Sequence, residues 1–412
     1  MSKPFVAAIA AAVILATGGV VLSTPVAAQE KQAVSKASAK VLKAAQEAVQ
    51  AKKYDEALAK LQEAKGVAGR TAYDNYVIAQ LEAFTYARKG SYADAAKAME
   101  TQLDSGLVPA AEQGTLLKGL STVYYQLKQY PKSAEYGQRL IKAGGGDAET
   151  YTLVAQSYYL QNKFQDTVKF LSDYVGDQEK RGQSPKEQTL QLMSESYIKL
   201  NDTNGSTATL EKLVSYYPKP NYWNNLLYVL MRSEGNSDRV TLNIYRLMFS
   251  TGTLKQASDY TEMAQLSIEQ GTPCEAQTVL EKGTADSAFT EQRDKDRTAR
   301  LLESSKKACT TDQAGIAKFE AEAKAAAAGE ADVRLGQAYL SFNQYDKAVE
   351  AIQRGIGKGG LKQPEEAQIL LGIAQLKRKN TDEAAKAFKS VKSGGDAKLT
   401  RLANLWALHA KA

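Results

Sequence analysis

The sequence predicts an all-α fold, a right-handed α-solenoid of about nine helix pairs closed by a C-terminal capping helix. Three observations carry that expectation. An aromatic residue that opens an amphipathic run stands at Tyr54, Tyr92, Tyr130 and Phe164, at intervals of 38, 38 and 34 residues. Ahead of these anchors stands a second pattern: a large apolar residue, a small one, then usually Tyr three positions on, which together line one helix face. No segment reads as a strand.

The N-terminus comes first. Lys3 precedes an apolar stretch of 18 residues, Phe5 to Leu22, interrupted by Thr17, Gly18 and Gly19. Pro25 and the small residues Val26-Ala27-Ala28 follow. Charge, apolar run and small-residue site in this order make a secretory signal over 1–28. Cleavage is expected after Ala28, giving an exported chain that starts at Gln29. The competing reading is an uncleaved anchor, because the stretch is near the lower limit for spanning a bilayer. Nothing later in the chain is apolar enough to span.

The helix pairs follow. Each anchor is trailed by polar residues and a small residue three positions on, as in Tyr54-Asp55-Glu56-Ala57, Tyr92-Ala93-Asp94-Ala95 and Tyr345-Asp346-Lys347-Ala348. Before the anchor, Leu120-Ser121 leads to Tyr124, Val154-Ala155 to Tyr158 and Leu335-Gly336 to Tyr339. Between Tyr and anchor runs a short polar link carrying Gly, Asn or Lys, such as Arg88-Lys89-Gly90-Ser91 or Gln161-Asn162-Lys163. A first helix, A, thus ends at the link, and a second, B, begins at the anchor.

This register resembles the tetratricopeptide repeat, a helix-turn-helix unit of about 34 residues. The resemblance implies small residues where helix A meets helix B, matched by Ala45, Ala83, Ser121, Ala155, Ser194, Ala264, Gly336 and Gly372. It implies Tyr three residues on: Tyr86, Tyr124, Tyr158, Tyr197 and Tyr339 comply, while Ala48, Ser267 and Gln375 do not. Early in helix B it implies a small residue, as at Ala57, Ala95, Ser133, Ala276, Ala348 and Ala384. Solenoid units are expected over 29–283, about seven of them, and again over 330–412. The stretch 284–329 departs from the pattern. It reads as a charged helix from Thr290 to Ala308 and a second from Gln313 to Ala328, a divergent pair or a spacer. After Gly394-Gly395, residues Ala397 to Leu408 form the cap, with Leu399, Leu402, Leu405 and Trp406 on one face.

Composition narrows the chemistry. The chain has 412 residues, 53 Lys+Arg, 46 Asp+Glu, one His, two Cys, 43% apolar and 24% charged residues, which excludes disorder and collagen-like structure. A single imidazole, His409, excludes a Ser-His-Asp triad, a Cys-His dyad and a multi-His metal site in any ordinary arrangement. Two thiols cannot make a four-thiolate zinc site. No catalytic residue, metal or cofactor is assigned, and the chain reads as a non-enzymatic protein. The net charge is +7 and the longest basic run is Lys377-Arg378-Lys379. Positive and negative charges otherwise alternate, so no nucleic-acid stripe is expected. Membrane contact is expected only as peripheral association or through an uncleaved signal.

The remaining signals concern binding. Gln80, Arg88, Lys118, Thr122, Tyr125, Gln156, Tyr159, Gln191, Lys199, Asn224, Tyr228 and Arg232 fall on the helix A faces turned from the packed side. They are expected to line a polar groove for a protein or peptide partner, centred on Lys118 to Arg232. In this register Tyr124 and Tyr158 are buried, and Tyr125 and Tyr159 face the groove. Lys118 matches one place of the family's carboxylate-clamp subgroup, but Thr122 stands where Asn is wanted, so that ligand is not carried over. Cys274 opens one helix and Cys309 ends the next, at one edge of the solenoid; in an oxidising compartment the two are expected to pair. The function expected is a periplasmic protein- or peptide-binding scaffold, serving envelope assembly or an energy-transducing complex. The alternative is a solenoid that binds or processes polysaccharide or peptidoglycan, which requires carboxylates and aromatics gathered in one pocket.

Overall fold

A computed structural model describes residues 33–391 and 396–411. The expected signal at 1–28 and the Gly394-Gly395 break lie outside them. The regular elements among the described residues are twenty helices and no strand. In chain order they form nine A–B pairs, with one long helix before the eighth pair and one helix at the C-terminus. The pairs begin with α1 (Lys36–Gln50) and α2 (Tyr54–Gly66), then α3 (Ala72–Lys89) and α4 (Tyr92–Asp104), and α5 (Ala110–Gln126) and α6 (Tyr130–Lys142). Next come α7 (Ala148–Tyr159) and α8 (Phe164–Lys180), α9 (Glu187–Lys199) and α10 (Thr203–Tyr216), and α11 (Pro220–Met231) and α12 (Asp238–Ser250). The rest are α13 (Ala257–Glu269) and α14 (Pro273–Ala285), the long α15 (Gln292–Ala325), α16 (Glu330–Ser341) and α17 (Tyr345–Lys358), α18 (Pro364–Lys377) and α19 (Thr381–Lys389), and α20 (Ala397–His409).

The turn between A and B has one solution, used eight times. Lys52, Gly90, Lys128, Asn162, Asn201, Gly271, Asn343 and Lys379 all hold positive φ, each two residues before a helix B. The next amide donates back to the carbonyl of Ala48, Tyr86, Tyr124, Tyr158, Tyr197, Ser267, Tyr339 or Gln375, at 2.8–3.0 Å. This left-handed cap satisfies a carbonyl that the helix end would otherwise leave without a partner. The accepting residues are those that the sequence register places three after the small residue. Helix starts are fixed as locally. Ser35, Thr71, Asp147 and Ser237 accept first-turn amides, and Pro220, Pro273 and Pro364 open helices where a missing N–H costs nothing.

Close packing follows from the small residues. The eight on helix A and the six on helix B are all buried. At Gly336 an added Cβ would stand 2.3 Å from Ile352 Cγ1, and at Gly372 it would stand 2.3 Å from the Phe388 ring. At Gly329 it would stand 1.8 Å from the carbonyl oxygen of Gly355, so two backbones touch there.

The chain divides into two compact units between Asp202 and Thr203. In the first, a core of Leu116, Leu120, Val123, Tyr124 and Tyr136 runs between successive pairs. In the second, Leu335, Tyr339, Ile352 and Leu370 do the same, with Ile316 and Phe319 of α15 packed against them.

Two expectations change within the second unit. The stretch expected as two helices is one continuous helix of 34 residues. No Gly or Pro interrupts Cys309-Thr310-Thr311-Asp312. The Thr310 and Thr311 hydroxyls donate to the carbonyls of Lys306 and Lys307 at 2.9 and 3.0 Å, so these polar residues are satisfied inside the helix. The C-terminal helix does more than cover the last pair. α20 buries Leu399, Leu402, Leu405 and Trp406 against α18 and α19, and it also packs on α12 and α10 at the start of the unit.

Candidate partner-binding surfaces

In the first unit, Lys118, Thr122 and Tyr125 share one face of α5, and Gln156 and Tyr159 share one face of α7. The side chains of Lys118, Thr122, Tyr125 and Tyr159 already have partners within the chain. Lys118 Nζ donates to Asp147 Oδ2 at 2.8 Å and Glu149 Oε2 at 3.0 Å. The Asp147 bond raises the Lys118 pKa. Burial pushes Asp147 up, but hydrogen bonds from Lys118 and Thr150 prevail and hold it at about 2. The Thr122 hydroxyl donates to the Lys118 carbonyl at 2.9 Å. The Tyr125 ring meets the anchor Tyr130 edge-on at 5.6 Å, and Tyr159 meets the anchor Phe164 at 5.3 Å. Arg88 lies over the Phe84 ring at 5.0 Å.

The expected contrast between neighbouring tyrosines holds at one pair. Tyr124 is buried and Tyr125 half-buried, whereas Tyr158 and Tyr159 are both half-buried. Tyr125 and Tyr159 are therefore each partly covered by an anchor ring and partly open. Each sits one turn before the link, where the returning anchor ring covers it. Gln80, Gln156 and Gln191 are half-buried, and Arg88 and Lys199 are exposed.

In the second unit Asn224 is half-buried and Arg232 exposed on α11. The Tyr228 hydroxyl donates to Asp259 Oδ2. Burial and that carboxylate together raise the Tyr228 pKa.

The second unit also closes on itself through groups far apart in sequence. Arg401 Nε donates to Glu211, and Lys398 Nζ donates to Asn236 Oδ1 at 3.0 Å. His409 Nε2 lies 2.9 Å from Ser250 Oγ, and its ring meets those of Trp223 and Trp406. Arg239 Nη1 donates to Glu366 Oε2 at 2.7 Å. This closure encloses a cleft of about 620 Å³ between α12, α13, α15, α16 and α18. Its apolar lining includes Ile316, Phe319, Val333 and Leu370, and its charged lining includes Asp312 and Arg334. Burial raises the Asp312 carboxyl above its ordinary range. No sequence signal marks this cleft, because its residues come from five helices that only the closure gathers.

Beside it, Cys274 and Cys309 form a disulfide with Cα atoms 4.8 Å apart. It joins the start of α14 to the middle of α15. Among the described residues no His, Cys, Asp or Glu side chains gather as a metal site would require, and no helix is long and apolar enough to cross a membrane.

The repeat register is matched independently. A tetratricopeptide-repeat family model matches residues 81–148 and 333–397, and a second model of the same description matches 188–220. The chain carries tetratricopeptide repeats. The matched repeats lie in both units. Among solved structures, the chain is similar to the Naa15/Naa10 complex bound to HypK-THB, at 14% identity and a TM-score of 0.32. That match covers 90% of this chain and 60% of the other. A tetratricopeptide repeat protein from Parabacteroides merdae matches at 11% identity over 82% of this chain and 99% of that one, with a TM-score of 0.30. The TPR2AB domain of yeast Sti1, in a pHSP90 complex, matches at 12% identity over 73% and 100%, with a TM-score of 0.25. No curated protein matches the chain.

Proposed function

We propose that this tetratricopeptide-repeat chain is a non-enzymatic, exported scaffold of the bacterial periplasm that holds a protein or peptide partner. The observation that carries the reading is the cleft of about 620 Å³ in the second unit. Its apolar lining offers area for burial, and its charged residues fix orientation, the division of labour found in ligand sites. The face of Gln80, Arg88, Lys118, Thr122, Tyr125, Gln156, Tyr159, Gln191 and Lys199 supplies a second, more polar contact surface. Export rests on the 1–28 signal, and it fits a chain whose two cysteines are paired.

Site-specific photo-crosslinking in the envelope of an expressing cell tests this reading. A photoreactive group at Phe319 should give a discrete protein adduct. The Ile316→Glu/Phe319→Glu variant, with a second photoreactive group at Gln337, should lose it. Adducts with peptidoglycan fragments alone would replace this reading with the polysaccharide one, and adducts only from Tyr159 would move the site to the first unit.

A further inference from the structure

The cleft of the second unit is acidic, although the chain as a whole is basic. The chain carries a net charge of +7, but two arginines and four carboxylates line the cleft, an excess of two negative charges. Arg239 is paired with Glu366 at 2.7 Å and Arg334 with Glu330 at 3.8 Å. Glu269 and Asp312 remain, and neither side chain has an ion pair or hydrogen bond among the described residues. On α15, Asp312, Gly315, Ile316 and Phe319 stand at i, i+3, i+4 and i+7, which is one helix face. Ile316 and Phe319 are half-buried: one side of each packs on the core and the other lines the cleft. Gly315 leaves bare backbone between them and Asp312. A Cβ there would meet nothing within 4 Å, so no packing inside the chain requires glycine. Glycine is also a poor helix former, so neither the helix nor the core accounts for it. Gln270, Gln337 and Gln363 line the same cleft, and their side-chain amides have no hydrogen-bond partner among the described residues. Such an amide both donates and accepts, as a peptide unit does.

We propose that the cleft receives a partner segment in which a Lys or Arg stands close to a large apolar residue. The cation meets Asp312 and Glu269, the segment's backbone passes over Gly315, and the apolar side chain lies on Ile316 and Phe319. This inference rests on the scaffold reading above and names the chemistry of its partner. Charge selects the cation: ionised carboxylates only accept hydrogen bonds, and a basic side chain brings both the donors and the opposite charge. The apolar wall and the free amides select a peptide, because a small polar cation leaves both in water. Size agrees. A cavity of about 150 Å³ takes a benzene-sized group, so about 620 Å³ holds roughly four side chains of that size. Spacing agrees as well. From Asp312 to Phe319 the helix rises about 10 Å, the span of roughly three residues of extended chain.

An array of short random peptides, probed with the purified full-length chain, tests the inference. The peptides selected should be enriched in Lys or Arg within about three positions of Leu, Ile, Phe or Trp. Asp312→Asn/Glu269→Gln removes two charges from exposed side chains, so the melting temperature should stay unchanged. Its Kd for the selected peptides should rise by on the order of tenfold. Asp312→Lys/Glu269→Lys should move the selection to acidic sequences. Gly315→Trp sets a ring in the open space and should lose binding without lowering the melting temperature. If the selected peptides are acidic or neutral, and Gly315→Trp still abolishes their binding, the basic-partner inference fails and the scaffold reading stands. An unchanged Kd in Asp312→Asn/Glu269→Gln has the same meaning. If no peptide is selected, or Gly315→Trp binds as well as the parent chain, the inference also fails, and the Phe319 crosslink then decides the scaffold reading separately.

Discussion

Lys52, Lys128 and Lys379 hold φ of 59°, 58° and 65° at the same turn where other repeats use Gly or Asn. A left-handed conformation costs an L-residue about 1–2 kcal/mol, and these lysines accept that cost because the turn requires it. Lys128→Gly should therefore raise stability by about 1 kcal/mol, read from urea unfolding. A lower midpoint would show that the Lys128 stem contributes packing. Asp74 is the opposite case, a side chain with many partners. It accepts from the Ser35 amide and hydroxyl, the Ser38 hydroxyl and the Thr71 amide, at 2.7–3.1 Å. Burial pushes its pKa up, but these four bonds prevail and hold it at about 2. A lowered folded-state pKa adds stability above the unfolded value, so the Asp74 contribution is complete above about pH 4 and lost as pH falls toward 2. Asp74→Asn should flatten the acid limb of the stability curve of the first unit, and Asp74→Ala should cost about 1–3 kcal/mol at neutral pH.

At the scale of the element, the long helix α15 is held by few apolar side chains. Its buried residues are Thr298, Ser305, Cys309 and Ala323. The disulfide is therefore its main fastening near the middle. The sequence separation of 35 residues gives about 3–4 kcal/mol in the chain-entropy model. Denatured, unreduced protein from an oxidising compartment should show no free thiol. Cys274→Ser/Cys309→Ser should lose stability by that amount and increase hydrogen exchange in α15 first. The contact between Gly329 and Gly355 sets the geometry of the next pair. Gly329→Ala would drive a methyl into the Gly355 carbonyl, so it should destabilise the α16–α17 pair by more than 2 kcal/mol, roughly the cost of core overpacking. An unchanged melting temperature would show that the two backbones separate freely.

At the scale of the whole molecule, the C-terminal helix binds the end of the second unit to its beginning. A chain cut after Val391 should lose more than its last pair. Trp223 of α11, whose ring meets His409 of α20, should become more exposed, and α10 and α12 should exchange amide hydrogen faster. Fluorescence and hydrogen exchange on the truncated chain check this, and protection confined to normal levels in α10–α12 would make α20 a simple cap. N-terminal sequencing of protein from the expressing host should begin at Gln29. Retention of Met1 on a membrane-bound form would favour the anchor.

The sequence by itself determined everything that depends on neighbours in the chain. Small residues such as Ala83, Ala155 and Gly336 mark where two helices touch, and Gly90, Asn162 and Lys128 mark the turn between them. A helix pair is a local structure, and its period survives in one dimension. The same local logic misread Cys309 to Asp312 as a break, because threonines favour turns until their hydroxyls find a carbonyl one turn back. The candidate sites were legible only in part. Lys118, Tyr125, Tyr159 and Tyr228 could be placed on helix faces, but their partners Asp147, Tyr130, Phe164 and Asp259 could not be read from spacing alone. The cleft left no trace in the sequence. Arg239 meets Glu366 across 127 residues of sequence, in a unit whose last helix, α20, packs back on α12 and α10. Tertiary structure alone decided these sites, since closure depends on small angles summed over many helix pairs, and no single repeat encodes that sum.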